Sequence, residues 1–158
     1  MTKDKEQLNH FLVVTFNDIL RYEERALERL ANNRLSISEI HLLEAVFETM
    51  KKKENTSTNI ASALGITLGS LTTAVKTLER KGYLIRERDQ NDKRVFYLIP
   101  TPIATFVNKK HEQFHEEMID NIVANLSFEE EKTLAIALGK VQTYFGEEVS
   151  SSAQKGKI

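Results

Sequence analysis

The chain predicts a mainly α-helical fold that carries one small β-hairpin. Three observations predict it. Apolar residues recur at helical spacing along most of the length. Ser, Thr and Gly stand where those stripes need helix starts and stops. Between residues 83 and 99 the pattern changes to short β-branched and aromatic runs around a polar turn.

Leu8, Phe11, Leu12, Phe16, Ile19, Leu20, Leu27 and Leu30 make residues 6–31 one long helix, with a lapse in the stripe at Glu23 and Glu24. Ser36-Ile37-Ser38-Glu39 is a capping box, Ser36 as N-cap and Glu39 at N3. The helix it opens carries Ile40, Leu43, Val46, Phe47 and Met50. It runs into Lys51, Lys52 and Lys53, cations that suit a helix C-terminus. Thr56 caps a third helix that ends at Gly65, and Thr67 caps a fourth that stops at Gly82 after Lys81. The runs 83–88 and 94–99 flank Asp89-Gln90-Asn91-Asp92-Lys93 and form the hairpin. Thr101 is a cap, with Pro102 at the first position of a fifth helix that carries Ile103, Phe106, Val107, Phe114, Met118, Ile122 and Leu126. Ser127 and Glu130 make a second capping box. Leu134, Leu138, Val141 and Phe145 stripe the sixth helix, and residues 149–158 read as a flexible tail.

Composition sets bounds. At 158 residues the chain can bury a proper core as one domain. Its longest apolar run, near Phe11 to Val14, is too short to cross a bilayer. MTKDKEQ lacks an apolar segment of signal-peptide length, so the expected location is cytoplasmic, with no membrane partner. The absence of cysteine excludes disulfides, thiolate metal sites and cysteine redox sensing. The net charge is −1, but residues 67–97 hold seven basic groups against four acidic ones. A modestly basic segment therefore sits in an acidic body.

A helix pair followed by a basic-tipped hairpin can set one helix in a DNA major groove and a loop beside it. On the fourth helix, Leu71, Val75 and Leu78 share one face and should pack on Ile60, Leu64 and Ile66. The other face presents Gly69, Ser70, Thr72, Thr73, Lys76 and Thr77, with Thr67 at its start. Small side chains let a helix sit deep in a groove, and hydroxyls can bond phosphates or base edges. The plain alternative is a solvated face, which also collects Ser, Thr and Lys. The hairpin tips the balance, since a solvated face requires no basic wing. There Lys93 and Arg94 can reach phosphates or a narrow minor groove. Asp92 and Asp89 are out of place near DNA unless a carboxylate orients the arginine. The outer helices hold more large apolar residues than this small central unit covers, so a second copy is the simplest partner.

Two segments carry a family resemblance. Leu78-Glu79-Arg80-Lys81-Gly82-Tyr83-Leu84-Ile85-Arg86 resembles the L-E-x-x-G-hydrophobic-hydrophobic-x-R segment of the multiple-antibiotic-resistance regulator (MarR) family of winged-helix transcription factors. Asp89 to Arg94 resembles that family's D-x-x-D-x-R wing, at matching spacing. The resemblance implies one domain over residues 1–158, with a winged helix-turn-helix at 35–100 and dimerisation helices at 5–32 and 101–148. It implies a homodimeric repressor on double-stranded DNA, needing no cofactor and catalysing nothing. It places Thr67, Gly69, Ser70, Thr72, Thr73, Lys76, Thr77, Arg86, Lys93 and Arg94 toward DNA, with Asp92 orienting Arg94. One departure is Ile99-Pro100-Thr101-Pro102, where the family often has a Thr-x-x-Gly turn.

Further stretches are similar to the fatty-acid-biosynthesis repressors within that family. They are Leu8-Asn9, Phe16-Asn17, Tyr22-Glu23-Glu24, Ala26-Leu27, Ser36 to His41 and Thr67 to Thr73. That branch implies acyl–acyl carrier protein, or an acyl ligand, as co-repressor. It would put Phe16, Ile19, Leu20, His41, Leu42 and Ala45 near an effector pocket, though the same residues also fit a plain core. The alternative in the family is a regulator released from DNA by a small aromatic or drug-like ligand. A winged-helix dimer that binds only protein is the alternative outside it.

His111-Glu112-Gln113-Phe114-His115 points elsewhere. On a helix, H-E-x-x-H sets two imidazoles on one face beside a carboxylate, the pattern of zinc metallopeptidases. Only His10 and His41 remain as further histidines, so a downstream third His ligand is missing. The peptidase reading is therefore remote, and a surface metal held by His111 and His115 is the less remote form of it.

Overall fold

The computed structural model describes residues 2–30 and 34–155. The elements run α1 (Lys3–His10), a π-helical turn (Phe11–Thr15), α2 (Phe16–Leu30), α3 (Ile37–Lys51), α4 (Ser57–Ala63), α5 (Leu68–Arg80), β1 (Leu84–Arg88), β2 (Phe96–Pro100), α6 (Pro102–Val123) and α7 (Phe128–Lys155). The chain divides into two compact units, Met1–Phe114 and His115–Ile158.

The expected first helix is a helical rod that starts earlier, at Lys3, and widens to π geometry at Phe11–Thr15 before continuing in α2. Ala31, at its expected end, lies outside the described residues. Much of its stripe is not core: Leu8, Phe11, Leu12, Phe16 and Leu20 are exposed, whereas Leu27 is buried.

The core of the first unit joins α3, α4, α5 and the hairpin. Ile40, Leu43, Val46, Ile60, Leu71, Val75, Leu78 and Leu98 are essentially fully buried. Ile60 and Leu64 meet the buried face of α5 as expected, but Ile66 is exposed, and so is Met50 at the end of the α3 stripe. Local chemistry ends these helices in a common way. After α3, Lys53 N–H bonds Met50 O and Glu54 N–H bonds Thr49 O. After α4, Gly65 bonds Ser62 O and Ile66 bonds Ala61 O. After α5, Gly82 bonds Glu79 O and Tyr83 bonds Leu78 O. Each is a paired closure around a left-handed residue, the geometry that favours glycine. Gly65 and Gly82 meet that demand, while Lys53 adopts φ 60° without being glycine.

The hairpin is antiparallel, with Leu84 opposite Pro100 and Arg88 opposite Phe96. The segment before α4 adds to its edge. Leu98 N–H bonds Asn55 O at 3.0 Å, Asn55 Nδ2 returns a bond to Leu98 O at 2.9 Å, and Thr56 bridges Tyr97. At the exit, where the glycine turn is missing, the Thr101 hydroxyl donates to the carbonyls of Gly82 (2.7 Å) and Tyr83 (3.2 Å). Pro102 then opens α6. That hydroxyl, read from sequence as a helix cap, anchors the hairpin base to the end of α5.

In the second unit Ser127 forms its expected box. Its backbone N–H donates to Glu130 Oε2 at 2.8 Å, and Glu130 N–H donates to Ser127 Oγ at 3.4 Å. α7 continues to Lys155, past residue 148 where the sequence ended it, and residues 156–158 lie outside those described. Ile119, Ile122, Leu134, Leu138 and Phe145 are exposed.

Candidate nucleic-acid interface

The face of α5 opposite its buried stripe is open. Thr67, Gly69, Ser70, Thr73 and Lys76 are exposed, and Thr72 and Thr77 are half-buried. Thr67 caps the helix by accepting from Ser70 N–H at 3.1 Å, and the two hydroxyls lie 2.8 Å apart. The other hydroxyls bond the helix's own carbonyls: Thr72 donates to Leu68 O (2.8 Å), Thr73 to Gly69 O (3.2 Å) and Thr77 to Thr73 O (3.3 Å). Their protons are thereby engaged within the helix. What they offer outward is lone pairs and methyl groups, which suits base amino edges and thymine methyls better than phosphates. Phosphate contacts fall to the cations.

The wing holds those cations. Arg86 and Arg88 point to one side of β1, and their guanidinium carbons lie 4.8 and 5.3 Å from the centre of the Phe96 ring. The ring face steadies both charges without neutralising them. At the tip, Asp89 Oδ1 accepts from the backbone N–H of both Asn91 and Asp92, each at 2.8 Å. The Asp92 and Asn91 amides hold the Asp89 carboxyl below the usual carboxylate range. Asp89 is thus the turn former. Asp92 Oδ1 accepts from Arg94 N–H at 2.9 Å and lies 3.6 Å from Arg94 Nε. The Arg94 side chain is still 94% exposed, so its charge remains presented to solvent. Lys93 is exposed beside it.

Helix and wing meet in a concavity of about 360 Å³, lined by Thr72 of α5, by Arg86, Arg94 and Phe96 of the hairpin, and by Ser57 and Thr58 of α4. Ser57 and Thr58 were not among the residues singled out from sequence. Their signal was the Thr56 cap, which starts α4 there (Ser57 Oγ donates to Phe96 O at 3.3 Å).

The other candidates differ in their exposure. Of the six possible effector residues, Leu42 is buried, Ala45, Ile19 and His41 are half-buried, and Phe16 and Leu20 are exposed. His111 is not the surface ligand that its motif suggested: it is 1% exposed, and Nε2 lies 2.9 Å from Glu23 Oε1. His115 is half-buried and falls in the second unit. Glu112 accepts from Asn108 Nδ2 at 3.1 Å and lies 3.9 Å from Lys51.

Comparison with known proteins agrees with this geometry. The sequence model of the MarR family matches residues 35–96. The transcriptional regulator AdcR of Streptococcus pyogenes is 29% identical over 106 residues, 67% of this chain and 71% of that one. The crystal structure of Streptococcus pneumoniae FabT in complex with DNA superposes with a TM-score of 0.79 at 29% identity, over 90% of this chain and 98% of that chain. The S. aureus MepR–DNA complex matches at TM-score 0.67 and 21% identity, over 82% and 95%, a likeness of fold alone. AdcR is a transcriptional regulator and the FabT structure is a DNA complex, which favours the regulator reading over the peptidase reading of His111-Glu112-x-x-His115.

Proposed function

We propose that this chain, a member of the MarR family of winged-helix transcriptional regulators, is a homodimeric repressor that binds a pseudo-palindromic operator and governs fatty-acid-biosynthesis genes. The observation that carries DNA binding is the shared concavity, where Thr72 of the helix meets Arg86 and Arg94 of the wing. Base edges would be read by α5, and Arg94 would enter the minor groove with Asp92 behind it. Dimerisation is supported by the apolar residues exposed on α1, α2 and α7. Two-fold symmetry would then set half-sites one helical turn apart, ~10 bp.

The fatty-acid assignment rests on the likeness to FabT, at 29% identity over 90% of the chain. Under it, long-chain acyl–acyl carrier protein is the co-repressor. Gel shift on the upstream region of the chain's own gene, with and without acyl–acyl carrier protein, tests both levels. Tighter binding with the acylated carrier supports the assignment. Release by a small aromatic compound, with no response to the carrier, would replace it with the drug-responsive alternative. No binding under either condition would sink the DNA-binding reading itself.

A further inference from the structure

One aromatic ring in the wing gathers two cations. Strand residues two apart share a face, so Arg86 and Arg88 of β1 lie on one side and Glu87 on the other. Phe96 of β2 stands opposite Arg88 in the register and diagonal to Arg86. The guanidinium carbons come within 4.8 Å (Arg86) and 5.3 Å (Arg88) of its ring centre. Both arginines are exposed, and Phe96 is half-buried. We infer that Arg88 and Arg86 together hold a DNA backbone phosphate with Phe96 positioning both guanidinium groups, a role that rests on the DNA-binding reading and not on the choice of regulated genes.

The charge pattern calls for an anion from outside the chain. Among the described residues neither Arg86 nor Arg88 enters an ion pair, whereas Arg94 lies 3.6 Å from Asp92. Like charges on one strand face repel, and the face of a ring attracts a cation without neutralising it. A phosphate reached by both side chains removes that repulsion. Its oxygens accept from guanidinium forks in short, charge-assisted pairs.

Position fits as well. Arg86 and Phe96 line the concavity that they share with Thr72 of α5. With α5 in the major groove and Arg94 in the adjoining minor groove, the phosphate strand between the two grooves runs past that wall. Arg88 is the next residue of the same strand face toward the tip. An arginine loses rotamer freedom when it binds. Stacking on an aromatic face, which suits the planar guanidinium, removes part of that freedom beforehand. The sequence points Arg86 toward DNA, and Arg88 joins it only through the shared ring.

The test is fluorescence anisotropy of the full chain over a salt series on two labelled duplexes, the upstream region of its own gene and an unrelated sequence. Arg88→Ala should weaken binding about three- to tenfold on both duplexes and lower the slope of log affinity against log salt by about one. Phe96→Leu should weaken binding about two- to fivefold with the slope kept, since no charge is lost, and Phe96→Tyr should bind like the parent. In an Arg86→Ala/Arg88→Ala background, Phe96→Leu should cost nothing more. A ring that merely supports the fold would weaken binding in that background too, through the rest of the wing, and that result overturns the positioning role. Affinity and slope like the parent's in Arg88→Ala overturn the phosphate contact. A parent that binds neither duplex overturns the DNA-binding reading itself, and this role with it.

Discussion

Lys81 Nζ, at the end of the helix assigned to base reading, lies 2.7 and 2.8 Å from the two carboxylate oxygens of Glu39, in the first turn of α3. Glu39 also accepts Ser36 N–H at 2.7 Å, so one carboxylate closes the cap of α3 and holds the C-terminus of α5. Burial pushes the Glu39 carboxyl upward, but the Lys81 ammonium and the Ser36 amide outweigh it and leave the carboxyl below its ordinary value of 4.5. A pKa lowered on folding adds stability above the unfolded value, and that stability is lost as pH falls through the folded one. Acid unfolding followed by circular dichroism should therefore show a steeper loss below pH 4.5 in the parent than in Lys81→Met. Equal slopes would mean that the pair is solvent-screened and contributes nothing.

Arg94→Ala should weaken operator binding without lowering Tm, because the side chain is exposed and, among the described residues, its ion pair is with Asp92 at the tip. The loss should be about 1–3 kcal/mol, and the slope of log affinity against log salt should fall by about one. Arg86→Ala should also weaken binding, and it removes a guanidinium from the Phe96 ring, so a small stability loss of about 0.5–1 kcal/mol accompanies it. Fluorescence anisotropy over a salt series separates the two variants.

Lys53 and Gly82 occupy the same position in two helix closures, and they predict opposite outcomes. A side chain at positive φ costs about 1–2 kcal/mol, and glycine returns part of that through its freedom when unfolded. Lys53→Gly should therefore stabilise by about 0.5–1 kcal/mol, which is a rise of a few degrees in Tm. Gly82→Ala should destabilise by about 1–2 kcal/mol, from backbone conformation alone. Apart from its chain neighbours, no atom of the described residues lies within 4 Å of the Cβ it would add. Urea denaturation of both variants reads the two signs directly.

Under the proposed dimer, Leu138→Glu should shift the chain from dimer to monomer in light scattering, since Leu138 is 47% exposed on α7. A charge buried at an apolar interface is strongly disfavoured. Retention of the dimer would move the interface to other exposed residues of the outer helices.

Legibility in the sequence followed the range of the interaction. Ser36, Thr56, Thr67 and Ser127 were readable as caps because each bonds a partner three residues away. The hairpin was readable from its alternation and polar turn. Exposure was harder. Phe16, Leu20, Met50 and Ile66 have apolar side chains and helical spacing, yet they stand exposed in the single chain. Periodicity reports which residues share a face, and says nothing of what covers that face. Thr101 stands at the cap position as read, its carbonyl accepting from Thr105 N–H, but its hydroxyl serves carbonyls 18 and 19 positions away.

By itself the sequence determined the helix boundaries set by caps and left-handed closures, the hairpin, and the small polar face of α5. Each follows from bonds within a few residues, which the local amino acids dictate. Only the tertiary structure decided that Thr72, Arg86 and Arg94 share one concavity, and that Glu23 meets His41 and His111. In the sequence Glu23 was a gap in an apolar stripe and one residue of a family-like stretch. It acquires chemical meaning once the packing of the helices brings two imidazoles to a single buried carboxylate oxygen.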